Sequence, residues 1–266
     1  MRLGCAVLLG LALFVGRACA AETARQILDR REALDDGPRH WDDRHQKLGF
    51  HIADSRGGTR TRELELSEKR YPGDERKAIV FFSSPPEVKG TAFLSFTHKG
   101  KPADQWLYLP ELQRVRQITA NTRNQSFVGT DLTYHDLDIL TEMTSWTEAD
   151  AASSLRGDET IDGVACHVIE LAPKRDDIGY KKVVLWLGQA DLVPRKLEFF
   201  GDAAEPTKRL VQSDVRTVGP IPVAYHTRVE TPAAGSSTEI DIAETQFNQK
   251  LADDAFTQRA LEQGPQ

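Results

Sequence analysis

Alternating apolar and polar side chains occur along most of the chain and predict a fold built from β-strands. Between residues 59 and 69, Leu64 and Leu66 fall on one face of an extended chain, and Glu63 and Glu65 fall on the other. Further short apolar runs follow at the spacing of a meandering antiparallel sheet: residues 78–82, 91–96, 104–110, 114–118, 156–160, 166–171, 181–187, 195–200, 208–217, 221–231 and 238–247. We therefore predict one mainly β domain (α+β class) of about eleven antiparallel strands.

The most informative strand spans residues 104–110 and carries apolar side chains on both faces. Trp106 and Tyr108 share one face because side chains alternate along a strand, whereas Leu107 and Leu109 share the other. We expect Trp106 and Tyr108 to face an interior cavity, since aromatic rings supply apolar area with a polar tip at the edge. If the two leucines face the cavity instead, this assignment is wrong.

A turn near residues 233–234 predicts that the last two strands form a hairpin. This turn would place Arg228 opposite Glu239 and His226 opposite Asp241 on the outward face. Exposed pairs of this kind contribute only about 0–1 kcal/mol each. They therefore test the register of the hairpin and say little about stability.

Helices are predicted at both ends of the domain. Thr23 and Gln26 have the spacing of a capping box, and they begin a helix with a weak apolar face that should cover the sheet. A short helix with an acidic start closes the chain and should pack Phe256 and Leu261 against the body.

The middle of the chain, from residue 121 to about residue 146, interrupts the strand pattern. It begins with a turn at Gly129 and continues into a short helix predicted near residues 134–140. Long segments of this kind in compact domains are usually functional or mobile. We therefore predict that this segment is a lid or a plug.

The N-terminus has the pattern of a cleavable signal peptide, residues 1–20. Uncharged residues 3–16 lie between Arg2 and Arg17, and small residues precede a cut after Ala20 or, alternatively, Ala21. The run is shorter than the roughly 20 apolar residues that span a bilayer, and a buried N-terminal helix is the less favoured reading. A lipid anchor on Cys19 is also less favoured, because the residues before it do not form a lipobox. We expect a protein secreted to the periplasm, with residues 21–266 as its single domain.

Composition narrows the classes of function. Without Arg2 and Arg17, the chain has 32 basic against 40 acidic residues, a net charge near −8, and no basic stripe that would indicate nucleic-acid binding. Cleavage would leave Cys166 as the one cysteine of the domain, so no internal disulfide can form. Cys166 lies in an apolar strand pattern, which favours a buried, inert thiol over a nucleophile.

Motifs for catalysis or metal binding are weak. Asp131, His135 and Asp138 lie close together in sequence, but their spacing matches no established ligand motif, and a solvated loop or helix start explains them more simply. No serine has the context of a nucleophile elbow, and no glycine-rich loop precedes a helix. We therefore predict a protein that is not an enzyme and needs no metal or cofactor.

Several runs of residues together resemble the LolA-like family of outer membrane lipoprotein-sorting proteins. They cover nearly the whole domain: residues 104–110 with 114–116, residues 126–137, residues 185–187 leading into 192–196, and residues 255–257. The resemblance implies a strongly curved antiparallel half barrel whose open side is covered by helices, as in the LolA and LolB carriers, with an apolar cavity between.

The same resemblance implies a function. In the well-studied carriers of the family, the cavity holds the acyl chains of lipoproteins that cross the periplasm. We therefore expect a monomeric periplasmic carrier that binds acyl chains of a lipoprotein or lipid and passes them toward the outer membrane. The alternative is an accessory module, without enzymatic activity, that docks onto an RND-type exporter or an envelope complex. Five aromatics are candidates for lining or closing the cavity, although ordinary core positions explain each equally well: Trp106, Tyr108, Phe127, Trp146 and Trp186.

Overall fold

Thirteen antiparallel strands form one sheet in the computed structural model, which describes residues 22–265. The predicted signal peptide lies outside these residues. The sheet has two strands more than the predicted total of about eleven. Each predicted run is a strand, and the one strand without a predicted run, residues 43–53, is marked in the sequence only by a change of period. The strands are β1 (Asp43–Ala53), β2 (Thr59–Tyr71), β3 (Glu75–Ser84), β4 (Ala92–His98), β5 (Lys101–Leu109), β6 (Arg114–Ile118), β7 (Ala151–Ile161), β8 (Val164–Pro173), β9 (Lys182–Gly188), β10 (Pro194–Phe200), β11 (Lys208–Val218), β12 (Ile221–Thr231) and β13 (Ser236–Phe247).

The sheet consists of two meanders that are joined in the middle. Strands β1 to β6 pair in chain order, as do β7 to β13, and the pairing of β1 with β13 connects the two halves. Strands β6 and β7 form the two edges and do not pair with each other. The result is the open, curved half barrel that the sequence predicts.

Three α-helices accompany the sheet: α1 (Ala24–Asp36), α2 (Tyr134–Glu142) and α3 (Gln258–Gln263). Thr23 forms the predicted capping box with Gln26, and Thr133 forms a second one with Asp136. In each box the threonine hydroxyl and the side chain three residues later satisfy free backbone N–H groups, which fixes where the helix begins. Among residues 22–265, none of the helices has both the length and the apolar character needed to cross a membrane.

Helix α2 shows which side of the sheet is concave. One apolar cluster joins it to strands of the first half, through Phe50 and Phe93, and another joins it to strands of the second half, through Leu185 and Leu210. Leu137 of α2 packs against both clusters. A single helix can contact both halves only because the sheet curves around it, so α2 fills the concave side.

The convex side has separate cover. Phe256, just before α3, and Leu261 of α3, each 1% exposed, pack against Ile79 and Leu94, as the sequence predicts. On the second half, Cys166 is buried in a cluster outside the concave core. Burial raises the pKa of the Cys166 thiol, which disfavours the nucleophilic thiolate.

The register of the last hairpin is confirmed. Arg228 lies opposite Glu239 and His226 lies opposite Asp241. The side chains of both pairs also meet, with 2.5 Å from Arg228 Nη1 to Glu239 Oε1 and 2.7 Å from His226 Nδ1 to Asp241 Oδ1.

The predicted orientation of the β5 strand is wrong. Trp106 and Tyr108 lie in the convex cluster with Phe256, and the Trp106 ring packs edge-on against Phe96 at 5.1 Å. Leu107 instead belongs to the concave cluster. The reason is that α3 packs over the convex face of β5, so both faces of the strand are covered and the aromatic pair is half-buried beneath the helix.

Candidate functional site

The segment between β6 and β7, residues 119–150, fills the concave face, and we call it the plug. Phe127, 3% exposed, inserts its ring among three other aromatic rings. Its ring centre lies 5.7 Å from that of Phe82, 5.2 Å from that of Phe93 and 5.7 Å from that of Tyr134. Burial raises the pKa of Tyr134 to about 12, so its hydroxyl stays protonated. The prediction of a lid or plug therefore corresponds to a segment that packs into the sheet.

The turn before α2 is tied to the sheet through Asp131. Its carboxylate accepts hydrogen bonds from Thr238 Oγ1 at 2.7 Å and from Ser236 Oγ at 2.5 Å, both on β13. The backbone N–H of Asp131 donates to Thr238 Oγ1 at 3.0 Å. Lys208 of β11 donates its ammonium to the Asp131 carbonyl. Asp131 is thus an anchor of the plug to both β11 and β13.

Helix α2 has a second anchor at its start. Asp136 lies 3.2 Å from the Lys208 ammonium and accepts a hydrogen bond from the Tyr180 hydroxyl. Burial, reinforced by the charge of Asp136, raises the pKa of Tyr180 well above its usual value. On the other half of the sheet, the Gln105 side chain donates to the Tyr134 carbonyl at 3.0 Å. The plug is therefore held by polar contacts from both halves of the barrel.

His135 adds a contact to the loop after β8. Its Nε2–H donates to the Ile178 carbonyl at 2.7 Å, which leaves Nδ1 to accept a hydrogen bond from Arg123 at 2.7 Å. Burial lowers the pKa of His135, and the neighbouring Arg123 charge lowers it further, although the Ile178 bond opposes the shift. Because a guanidinium can only donate, Nδ1 must accept, and the ring is neutral in this arrangement.

The end of the plug carries buried polar atoms without a protein partner. In the described part of the chain five such side-chain atoms occur, and three belong to the plug: Asp138 Oδ1, Glu142 Oε2 and Trp146 Nε1. Burial raises the pKa of Asp138 and of Glu142, despite the ion pair that Glu142 forms with Arg175. Buried polar groups in native proteins are nearly always paired, so the seated plug carries a cost that an ordinary core segment does not.

The tip of the plug is also strained. Val128 has a φ of 48°, in the left-handed region, and Gly129 follows at 82°. Glycine adopts such angles freely, whereas a β-branched residue does so at a cost of order 1–2 kcal/mol. Strain of this kind concentrates in segments that switch between conformations or take part in function.

The structure separates the five predicted site residues into two groups. Phe127 and Trp146 lie on the concave side, in the clusters that the plug forms with the sheet. Trp106, Tyr108 and Trp186 lie on the convex side. Trp186 is on that side because Leu185 faces the concave core and its neighbour in the strand must face the other way.

The sequence argument missed the residues that hold the plug. Lys208, 8% exposed, is a single lysine at the start of a strand, and Gln105 is a single polar position in an apolar strand. Each contacts the plug from a strand that is distant in sequence, so no local pattern identifies them. The only available signal is that each polar residue shares its face of the strand with apolar residues, Lys208 with Leu210 and Gln105 with Leu107.

Comparisons with known proteins agree with this architecture. A protein-family model with the description "Uncharacterized protein" matches residues 74–263. No curated protein sequence matches the chain significantly. A crystal structure of a domain named for outer membrane lipoprotein sorting, from Vibrio parahaemolyticus, is 28% identical, with a TM-score of 0.80 over 90% of this chain and 98% of that one.

Two further crystal structures share the fold. A DUF1329 family protein from Desulfovibrio piger is 25% identical, with a TM-score of 0.81 over 90% of this chain and 97% of that one. A LolA superfamily protein from Nitrosomonas europaea is 21% identical, with a TM-score of 0.67 over 90% of this chain and 100% of that one. With the match over residues 74–263, these likenesses show that the chain belongs to the LolA-like family of outer membrane lipoprotein-sorting proteins.

Proposed function

We propose that the protein is a periplasmic carrier that binds acyl chains of a lipoprotein or lipid on its concave face. The ligand-free protein covers this face with its own plug, and loading requires the plug to move aside. The proposal rests on one observation above all: the plug buries aromatic rings on an apolar sheet face while three of its buried polar atoms stay without partners. The family name and that of the Vibrio parahaemolyticus domain support the same function.

Energetics make such an exchange feasible. Each methylene drawn from water into an apolar site gains about 0.8 kcal/mol, so a sixteen-carbon chain gains on the order of 12 kcal/mol when it is fully covered. Displacing the plug exposes Phe127 and Tyr134, each worth about 1.5–3 kcal/mol by burial. It also lets Asp138 and Glu142 regain solvent. Because losses offset part of the gain, the carrier holds its ligand weakly enough to release it to an acceptor.

The mechanism needs only binding and release. The side chains that hold the plug have structural partners: Lys208 with Asp136, Asp131 with Thr238, and His135 with the Ile178 carbonyl. None of these steps requires a bond in the ligand to break. We propose accordingly that the protein acts without catalysis, as a monomer that exchanges ligand with a membrane donor and an outer-membrane acceptor.

A second candidate is an accessory module that docks onto an RND-type exporter. A specific feature of the convex side favours it: a cavity of about 310 Å³ between α3 and the sheet, lined in part by Phe81, Tyr108 and Leu261. Leu112, which follows this region, is 50% exposed. Exposed apolar surface of this kind marks many interaction sites. A docking module would use this face and leave the plug seated.

Locking the plug distinguishes the two functions. Asp131→Cys and Ser236→Cys, in a Cys166→Ala background, place thiols at two side chains that already touch across the plug and β13. For the carrier, the oxidised protein loses binding of a dansyl-labelled fatty acid and the reduced protein regains it. The single-cysteine variants, oxidised in the same way, are the controls. Equal binding with the plug locked and unlocked contradicts the carrier proposal, as does an absence of binding in all forms.

A further inference from the structure

Four arginines line a pocket at one end of the half barrel, and a fifth, Arg44, lies over the ring of Trp41 in the pocket wall. Three stack on Trp41, with guanidinium carbons 5.1, 5.5 and 5.9 Å from the ring centre, and two more line the pocket from α1 and the turn after it. In chain order the five are Arg31, Arg39, Arg44, Arg70 and Arg76. Stacking on an indole fixes the orientation of a guanidinium while leaving its N–H groups in plane to donate.

The pocket has a volume of about 190 Å³ and two kinds of wall. Beside the arginines, apolar side chains from the β9–β10 turn and the start of β12 complete the lining: Leu192, Val193, Pro194, Ile221 and Pro222. Leu192 also belongs to the concave core, so the pocket adjoins the face that we assign to acyl chains. Its volume is below the roughly 300–1,000 Å³ of pockets that enclose whole drug-sized ligands. It therefore suits the head of an amphiphile better than its chains.

The carboxylates nearby are shared unevenly among the arginines. Glu68, with its side chain only 6% exposed, serves both Arg44 at 2.6 Å and Arg76 at 3.5 Å. Burial opposes the charge of Glu68, yet these two ion pairs hold its pKa below the usual range. Arg76 also donates a hydrogen bond to the hydroxyl of Thr144 at 3.0 Å. One carboxylate is thus shared between two cations.

The other three arginines have only two carboxylate partners between them. Arg70 pairs with Asp36 at 2.7 Å, and Arg31 lies 3.4 Å from Asp35. Arg39 has no carboxylate within 4.0 Å among residues 22–265. Five guanidiniums therefore share three carboxylates. The two other acids of the pocket lining contact cations outside it. Glu32 lies 3.8 Å from Arg25, which also pairs with Asp29 at 2.7 Å, and Asp74 lies 2.5 Å from Lys99.

The positive charges also act on one another. Burial lowers the pKa of Arg31, and the charges of Arg76 and Arg39 lower it further, although Asp35 opposes the shift. Mutual repulsion in a partly dry pocket is relieved when an anion binds between the cations. A phosphate group offers several oxygens to planar guanidinium donors, which is the geometry that arginine recognises best.

We propose that this pocket binds the phosphate head group of an anionic lipid, with the adjoining apolar wall taking the first methylenes of its chains. The inference rests on the proposed carrier function, because that function supplies the lipid as ligand. Binding of a phosphate group in the pocket can nevertheless be measured separately from fatty-acid binding. A phosphate bound beside Arg39 supplies the anionic partner that this guanidinium lacks among residues 22–265.

The test uses calorimetry with dihexanoyl phosphatidic acid, dihexanoyl phosphatidylcholine and inorganic phosphate as separate probes. Dihexanoyl phosphatidic acid is expected to bind most tightly. Arg39→Gln should weaken its affinity by about tenfold, the loss expected for one charge-assisted contact. Arg259→Gln removes one exposed guanidinium from α3 and should leave the affinity unchanged.

Each outcome has a distinct meaning. Equal affinities in Arg39→Gln and Arg259→Gln overturn the assignment of the pocket, and so does tighter binding of the zwitterionic lipid. Inorganic phosphate that binds as tightly as the anionic lipid overturns the role of the apolar wall. If the pocket does not bind phosphate but the carrier proposal is correct, the dansyl fatty acid still binds. If the carrier proposal is wrong, the fatty acid does not bind, and the affinities for the phosphate probes are unaffected.

Discussion

Replacing Phe127 with alanine should increase the apparent affinity for acyl chains. In the seated plug the ring is 3% exposed and contacts three other rings at 5.2–5.7 Å. Truncation of a buried phenylalanine costs about 3–5 kcal/mol. Most of this lost free energy destabilises the state with the plug seated, because the Phe127 ring contacts these partners only in that state. A shift of 3 kcal/mol changes the equilibrium between seated and displaced plug by roughly 100-fold.

Ligand binding reports this shift directly. If only the displaced state binds, the apparent dissociation constant equals the intrinsic one divided by the displaced fraction. Phe127→Ala should therefore bind a dansyl-labelled fatty acid more tightly, by up to roughly 100-fold, until the displaced state dominates. The assay is a fluorescence titration at constant protein concentration.

A matched control lies on the other face of the sheet. Phe256, 1% exposed, has the same side chain and packs beneath α3 on the convex side. Phe256→Ala should lose a similar 3–5 kcal/mol of stability in urea unfolding without any gain in affinity. If Phe127→Ala binds the fatty acid more weakly than the unaltered protein does, the reasoning is refuted. The ring would then contact the ligand instead of covering the concave face in its absence.

Further predictions concern the anchors of the plug and its charges. Lys208→Met leaves Asp136 without its cation, and the loss should reach about 3–5 kcal/mol in urea unfolding if the carboxylate stays buried; a loss below 1 kcal/mol would show that the pair is solvated. Burial raises the pKa of Asp138 and of Glu142, so the folded state holds more protons than the unfolded state above about pH 4, and both groups lower stability as the pH rises. Asp138→Asn should therefore gain stability relative to the unaltered protein as the pH rises from about 4 to 7, measured by unfolding at each pH; a difference that is constant with pH would contradict this. Collisional quenching by a brominated fatty acid should dim Trp146 more than Trp106, as measured in single-tryptophan variants, and equal quenching would contradict the concave site.

Local signals in the sequence predicted much of the fold. The Thr23 capping box and the hairpin register of His226 and Asp241 depend on residues that are close in sequence or on a short turn. Alternation likewise fixes which residues share a face of a strand. Such features can be predicted because few distant contacts compete with them.

The faces of β5 and β9 could not be predicted in the same way. Trp106 and Leu107 are both apolar, so alternation separates them without showing which one points inward. The outcome depends on α3, which begins about 150 residues later and covers the convex side. Trp186 in β9 presents the same ambiguity.

Contacts across long sequence separations also determine the candidate site. Lys208 meets Asp131 and Asp136 from another part of the chain, and nothing near Lys208 in the sequence indicates a partner. The plug itself was predictable as an interruption of the strand pattern. Its polar anchors and its unpartnered atoms require the three-dimensional structure.

Amide hydrogen exchange of the plug tests the central claim most directly. The protein is labelled with and without a saturating fatty acid, and peptides covering residues 126–142 are compared with peptides covering α3. The account predicts that ligand increases exchange in residues 126–142, because the plug leaves the sheet, while exchange in α3 stays the same. Ligand binding with exchange in the plug unchanged or slowed would contradict displacement of the plug from the concave face.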